Sequence, residues 1–191
     1  TMLKRPQRAA DWEQDMLGGL EIIESRSEGL NKFMQSYARL AKLPAPSKQP
    51  CELGPLLRRI VTLEGRSTVQ LVEGPDLTVS LDAAQVEQVL INLIKNAVEA
   101  APDSGQPGEP TCCVRVGWRK APSQIEIYVE DDGPGIANMQ NLFVPFFTTK
   151  PSGSGIGLVL CRQIAENHGG SLTLENRDDN TGCIARLRLP T

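Results

Sequence analysis

Histidine is nearly missing from this chain: its 191 residues hold one, His168. Aromatic residues make up 4% of the sequence, and no run approaches the roughly 20 apolar residues of a membrane span. Cysteine is sparse and lacks a metal pattern. Cys51, Cys112, Cys113, Cys161 and Cys183 are odd in number and contain no C-x-x-C spacing. One histidine cannot complete a zinc site with them, so we expect reduced thiols in a reducing compartment. Neither sign of charge dominates, since 20 Lys and Arg stand against 23 Asp and Glu for a net −3. Nucleic acid as the main partner needs clustered cations, and this balance excludes it. Lys4, Arg5 and Arg8 lead into polar sequence, which is not a signal peptide. Because Thr1 is not a Met, we expect a piece of something longer.

What is present organises the chain. At 191 residues, one domain plus an appendage is the natural division. Met16, Leu20, Ile23, Leu30, Phe33 or Met34, Tyr37 and Leu40 recur at three, four or seven residues, the period of one long helix. Gly18-Gly19 weaken it locally, by about 1 kcal/mol each relative to Ala. Leu43-Pro44-Ala45-Pro46-Ser47 ends it, because proline neither continues a helix nor lets its neighbour do so. The expected boundary divides residues 1–48 from residues 49–191. Helices are then expected over Glu52 to Leu63, from Asp82 to about Ala101, and from about Ile156 to His168. Strands are expected at Thr68 to Val72, Leu77 to Leu81, Cys112 to Trp118, Gln124 to Glu130, Ser171 to Glu175 and Cys183 to Leu189. The first two strands are joined by the turn Glu73-Gly74-Pro75-Asp76. This order predicts an α+β two-layer sandwich, a mostly antiparallel mixed sheet packed on helices, behind a long N-terminal helix.

Four clusters carry chemistry. Asn92-Leu93-Ile94-Lys95-Asn96-Ala97 sets two amides on one helix face. They either face solvent or offer oxygens to a hard cation such as Mg²⁺. Asp131-Asp132-Gly133-Pro134-Gly135-Ile136 follows a strand. It is either a plain turn or a carboxylate beside glycines that let backbone approach a flat ring. Leu142-Phe143-Val144-Pro145-Phe146-Phe147-Thr148-Thr149-Lys150 puts three of the four Phe within five residues, so one end of this loop should be anchored. Gly153-Ser154-Gly155-Ile156-Gly157-Leu158 opens a helix, where bare N–H groups attract anions. It lacks the Gly-Lys-Ser/Thr of a P-loop and the strand context of a dinucleotide fold.

In this order the four clusters resemble the N, first glycine, F and second glycine boxes of the sensor histidine kinase catalytic domain. The resemblance runs from about Cys51 to Pro190. Pro145-Phe146-Phe147-Thr148-Thr149-Lys150 and Leu189-Pro190 look most like its nitrogen-regulation branch. Ala41-Lys42-Leu43-Pro44 looks like the end of the second helix of the dimerisation and phosphotransfer hairpin. The resemblance implies a Bergerat-type fold that binds ATP and Mg²⁺. Asn96 would hold the metal with Asn92 beside it. Asp131 would accept the adenine amino group, in a pocket shaped by Gly133 and Gly135. Gly153, Gly155, Gly157 and Leu158 would bring backbone donors to the phosphates, and Lys150 and Arg162 would meet phosphate oxygens. Cys183 stands where relatives often place a hydroxyl near adenine.

Hydrolases of the wider superfamily place a Glu four residues before the metal-binding Asn, and here that residue is Asn92. An amide is no base at neutral pH, which favours phosphoryl transfer to a protein over hydrolysis. His168 precedes Gly169-Gly170 at a helix end, a structural position favourable to the helix dipole. The phosphoacceptor is therefore expected upstream of Thr1, and no catalytic residue is expected within the chain. The resemblance implies these partners: the acceptor hairpin of the parent chain or of a dimer mate, and a response regulator. The full-length protein would be a homodimer, and this chain would be cytoplasmic, in a parent of a kind that can be anchored in the bacterial inner membrane. The alternatives are a non-catalytic nucleotide-binding or dimerisation module, a superfamily ATPase, and a serine kinase.

Overall fold

The computed structural model describes residues 12–41, 43–65, 69–100, 114–150, 153–178 and 182–191. The chain divides into two compact units, Thr1–Lys42 with Thr148–Ser154, and Leu43–Phe147 with Gly155–Thr191. In the first unit, helix α1 spans Trp12–Ala41. At 1.5 Å per residue it is about 45 Å long. Met16, Leu17, Leu20, Ile22, Ile23, Leu30 and Met34 of α1 are exposed. Among the described residues, no helix is long and apolar enough to cross a membrane.

The second unit runs β1 (Gln49–Glu52), α2 (Leu53–Glu64), β2 (Val69–Val72), β3 (Thr78–Leu81), α3 (Ala83–Ala100), β4 (Val114–Lys120), β5 (Gln124–Asp131), α4 (Gly157–Asn167), β6 (Ser171–Asn176) and β7 (Cys183–Pro190). A five-stranded sheet has the order β2-β4-β5-β7-β6, and β1 pairs with β3 in a second, two-stranded sheet. Among the described residues only the β2–β4 pairing is parallel. Helices α2, α3 and α4 cover one face of the large sheet, with α3 packed between the other two. This is the expected two-layer α+β sandwich.

Two expectations were altered. β2 and β3, expected as neighbouring strands joined by a turn, do not pair with each other: that turn carries the chain from one sheet to the other. The crossing is held by Trp118, whose Nε1 donates to Pro75 O at 2.8 Å, and whose ring a Cβ on Gly74 would strike at 2.9 Å. β1 went unseen in the sequence because Gln-Pro-Cys-Glu has no apolar alternation. Cys112 and Cys113, and the glycine- and proline-rich stretch before them, lie outside the described residues.

Local chemistry explains the helices that matter for function. Asp82 caps α3: its Oδ1 accepts from the N–H groups of Ala84 and Gln85, both at 3.1 Å. Val86, Val89, Leu90, Leu93, Ile94 and Ala97 form the buried stripe of α3. A fully buried side chain of this kind contributes about 1.5–3 kcal/mol. α4 ends at His168, after which Gly169 takes φ +80° and Gly170 N–H returns to Ala165 O at 2.9 Å. The far face of the sheet is charged. Glu126, 6% exposed, accepts from Arg119, Arg186 and Arg188. Desolvation would raise its carboxyl, but the three guanidiniums outweigh it and hold it below the usual range.

Candidate functional site

Asp131, the last residue of β5, and Asp132 just after it have opposite surroundings. Asp132 pairs with Arg115 at 2.8 Å and Arg177 at 2.5 Å on the charged face. Asp131 is buried, at 6% exposure, opposite Cys183 in the β5–β7 register. Its Oδ1 accepts from Gly133 N–H at 2.9 Å and from Cys183 N–H at 3.3 Å. Both bonds from the described residues fall on that one oxygen, which leaves Oδ2 for an outside donor. Burial pushes the Asp131 carboxyl above its ordinary value despite those two N–H groups, and the charge of Asp132 adds to the rise. The Cys183 thiol is pushed up to about 12, by burial and by the charge of Asp131. It stays protonated at neutral pH.

The glycines after Asp131 are required by contact. A Cβ on Gly133 would lie 2.6 Å from the carbonyl oxygen of Ala100, at the end of α3. Gly135 has φ +77°, and a Cβ there would lie 2.9 Å from Asn176 Oδ1. Asn176 clamps the loop: it accepts from Ile136 N–H at 2.6 Å and donates to Ile136 O at 3.1 Å. Asn176 was missed in the sequence because an Asn before a charged turn carries no signal of its partner forty residues away.

On α3 the two amides meet. Asn96 Nδ2 donates to Asn92 Oδ1 at 3.1 Å, which turns the Asn96 carbonyl oxygen away from Asn92. Asn92 lies against the first residue of α4, where a Cβ on Gly157 would be 2.6 Å from its Nδ2. The C-terminal half of α3 thus meets the Asp131 loop at Gly133 and the start of α4 at Gly157. The first N–H groups of α4, including that of Leu158, have no partner within the helix. Gly155, at φ +66°, presses on the Phe146 backbone, and Phe146 N–H donates to Gly155 O at 3.0 Å.

Asn92 is therefore brought to Asn96 and Gly157, and Gly133, beside Asp131, to the C-terminal end of the same helix. Gly135, Gly155 and Leu158 follow on the same two loops. Arg162 is engaged elsewhere: its guanidinium carbon lies 5.1 Å from the Phe143 ring centre, and its Nε donates to Glu166 Oε1 at 2.9 Å. In the aromatic loop Phe143 is half-buried, while Phe146 and Phe147 are 43% and 44% exposed. Lys150 and Gly153 belong to Thr148–Ser154, grouped with the first unit. There Lys150 N–H donates to Thr148 Oγ1 at 3.1 Å and Gly153 N–H to Lys150 O at 3.1 Å.

His168 is 2% exposed, and both its ring nitrogens are used. Asp82 N–H donates to Nε2 at 3.1 Å, so Nε2 is unprotonated and Nδ1–H donates to Ile164 O at 2.8 Å. The expected structural role holds.

Residues 81–191 match the family described as histidine kinase-, DNA gyrase B- and HSP90-like ATPase. The chain belongs to this family. Within it, the chain is a sensor histidine kinase ATP-binding domain. It is 30% identical over 173 residues to the sensor protein kinase PilS of Pseudomonas aeruginosa, a match that covers 86% of this chain and 32% of PilS. It is 28% identical over 180 residues to sporulation kinase C of Bacillus subtilis, covering 89% of this chain and 40% of that protein. The chain thus spans well under half the length of these relatives. The catalytic domain of histidine kinase ThkA superposes with a TM-score of 0.64 at 29% identity, covering 75% of this chain and 95% of that domain.

Proposed function

We propose that this ATPase-family domain places ATP for transfer of its γ-phosphate to a histidine on a separate helix, for relay to a response regulator. The observation that carries the reading is the Asn92–Asn96 amide pair beneath the start of α4. No carboxylate stands at position 92 to activate water, so the domain lacks the base that hydrolysis needs. Positioning and charge neutralisation suffice for phosphoryl transfer.

Asp131 would accept the adenine amino group at Oδ2, with Gly133 and Gly135 letting the loop backbone lie close to the ring. The N–H groups at Gly155, Gly157 and Leu158 would receive phosphate oxygens. Lys150, Gly153 and Arg162 are proposed as further phosphate contacts, Arg162 after leaving Phe143. The amide oxygens fit Mg²⁺, which prefers oxygen ligands and keeps several waters. Among the described residues no three His, Cys, Asp or Glu cluster to hold a metal alone. Asn96 is the proposed ligand, with Asn92 holding its amide in place. When bound, the metal would neutralise phosphate charge. Residues 1–48 are proposed as the second helix of the dimerisation and phosphotransfer hairpin with its linker, in a homodimeric parent. Residues 49–191 are proposed as the ATP-binding domain.

The burial of His168 and its two ring hydrogen bonds support an acceptor outside this chain. Incubation with γ-labelled ATP and Mg²⁺ should leave the chain unlabelled and label a matched acceptor hairpin added in trans. Label on His168, or no transfer at saturating ATP, would overturn the proposal.

A further inference from the structure

The lone histidine also holds something. Residues 44–48 carry the chain into the second unit, which begins at Leu43. Three hydrogen bonds fix them there. Gln85 Nε2 donates to Pro44 O at 3.0 Å, Ser47 N–H to Asp82 Oδ2 at 3.0 Å, and Lys48 Nζ to His168 O at 2.9 Å. Their partners are themselves locked. His168 uses both ring nitrogens, Asp82 caps α3, and Gln85 is 7% exposed. The backbone N–H groups of Gln85, Ser47 and Ala84 outweigh desolvation and hold the Asp82 carboxyl below its usual range, so it stays an acceptor at neutral pH.

The seat occupies the N-terminus of α3 and the C-terminus of α4. The opposite ends of those helices carry the proposed nucleotide residues. Asn92 and Asn96 lie about 15 and 21 Å along α3 from Asp82, and Gly157 about 16 Å along α4 from His168. Helices are stiff over such lengths, so a change in how the two ends are held alters how the other two ends meet.

We propose that His168, Asp82 and Gln85 form a seat for residues 44–48, and that seating of this linker is energetically coupled to nucleotide binding. The coupling rests on the ATP-binding reading above, whereas the seat does not. His168, Asp82 and Gln85 act as positioning residues: they would not touch the nucleotide. The linker is the two-state element, seated or released.

Amide hydrogen exchange on the full 191-residue chain tests this, with ATP and Mg²⁺ as the probe. Without nucleotide, the Ser47 and Asp82 amides should be protected. Lys48→Met keeps the apolar stem and removes the donor, and should speed Ser47 exchange about three- to tenfold. Gln85→Leu is the second variant, and should release the same segment from its other end. By reciprocity, the factor by which saturating ATP shifts linker opening should reappear as the change in ATP affinity on releasing the linker, about threefold or more. Release of the linker with ATP affinity unchanged would overturn the coupling. Ser47 exchanging at the rate of an unstructured amide in the wild-type chain would overturn the seat. Failure of the wild-type chain to bind ATP would overturn the functional reading and the coupling with it, while protection of Ser47 in the same sample would still establish the seat.

Discussion

Asp131→Asn separates the proposed adenine contact from a structural role. In the wild-type chain Oδ1 takes two backbone N–H groups, and Oδ2 is the oxygen proposed to meet the adenine amine. An asparagine must keep its carbonyl oxygen on those two N–H groups, which puts its NH₂ where Oδ2 stood. Donor then faces donor. The loss combines a hydrogen bond to a charged group, about 1.5–3 kcal/mol, with unpaired donors at a buried site, about 1–3 kcal/mol. A net loss of about 3 kcal/mol is roughly 150-fold in Kd. The stability of the free chain should not fall, because burial already disfavours the Asp131 charge and the amide removes it. The new NH₂ suits a carbonyl oxygen, so preference should move from ATP towards GTP. Displacement of a fluorescent nucleotide by ATP and by GTP, with a thermal unfolding scan of each variant, measures all three effects. Asp131→Asn binding ATP within threefold of wild type, at an unchanged ATP to GTP ratio, would refute the assignment.

Further outcomes follow from the same geometry. The proposed adenine contact is strongest to the ionised Asp131, and burial raises that carboxyl. The ATP affinity that wild type holds over Asp131→Asn should therefore shrink as pH falls, beginning above the usual aspartate range of about 4. In the free chain the sign is opposite: protonation of Asp131 favours the folded state as pH falls through its raised value. The stability supplied by Asp82 and Glu126 is present above their ordinary values and is lost as pH falls through their depressed ones. Gly157→Ala puts a methyl 2.6 Å from Asn92 Nδ2 and should weaken ATP at least tenfold in the same titration. Gly18→Ala, with nothing within 4 Å, should instead favour α1 by about 1 kcal/mol, read as helical circular dichroism. Asn176→Ala removes both bonds to Ile136 and should cost about 1–2 kcal/mol in thermal unfolding, with a parallel loss of ATP affinity. Asn176→Asp keeps the acceptor and should recover part of each.

The helices were legible because their signals are local: the Asp82 cap, the three-four spacing from Val86 to Ala97, and the glycines after His168 all act within one turn. The same holds for Asp131, which ends a strand and precedes two glycines. What stayed hidden depends on partners distant in sequence. Nothing in Thr78–Leu81 says that it pairs with Gln49–Glu52 and not with the adjacent strand. Nothing in Asn176 names Ile136. Arg162 is a cation beside the proposed phosphate loop, yet its stacking on Phe143 and its i, i+4 carboxylate hold it elsewhere in this state. Asp131 and Asp132 are chemically identical as letters. Only the alternation of the strand sends one inside and the other to two arginines.

The crossing between the two sheets makes Trp118 an optical reporter. This indole is 3% exposed, bonded to Pro75 O, and within 3.4 Å of where a Cβ on Gly54 of α2 would lie. Its emission therefore reports simultaneous closure of α2, β4 and the link that divides β2 from β3. The only other tryptophan, Trp12, begins α1 in the other unit. Replacing Trp12 with Phe would leave a chain whose fluorescence follows assembly of the ATP-binding domain alone. Replacing Trp118 would leave one whose fluorescence follows the helix.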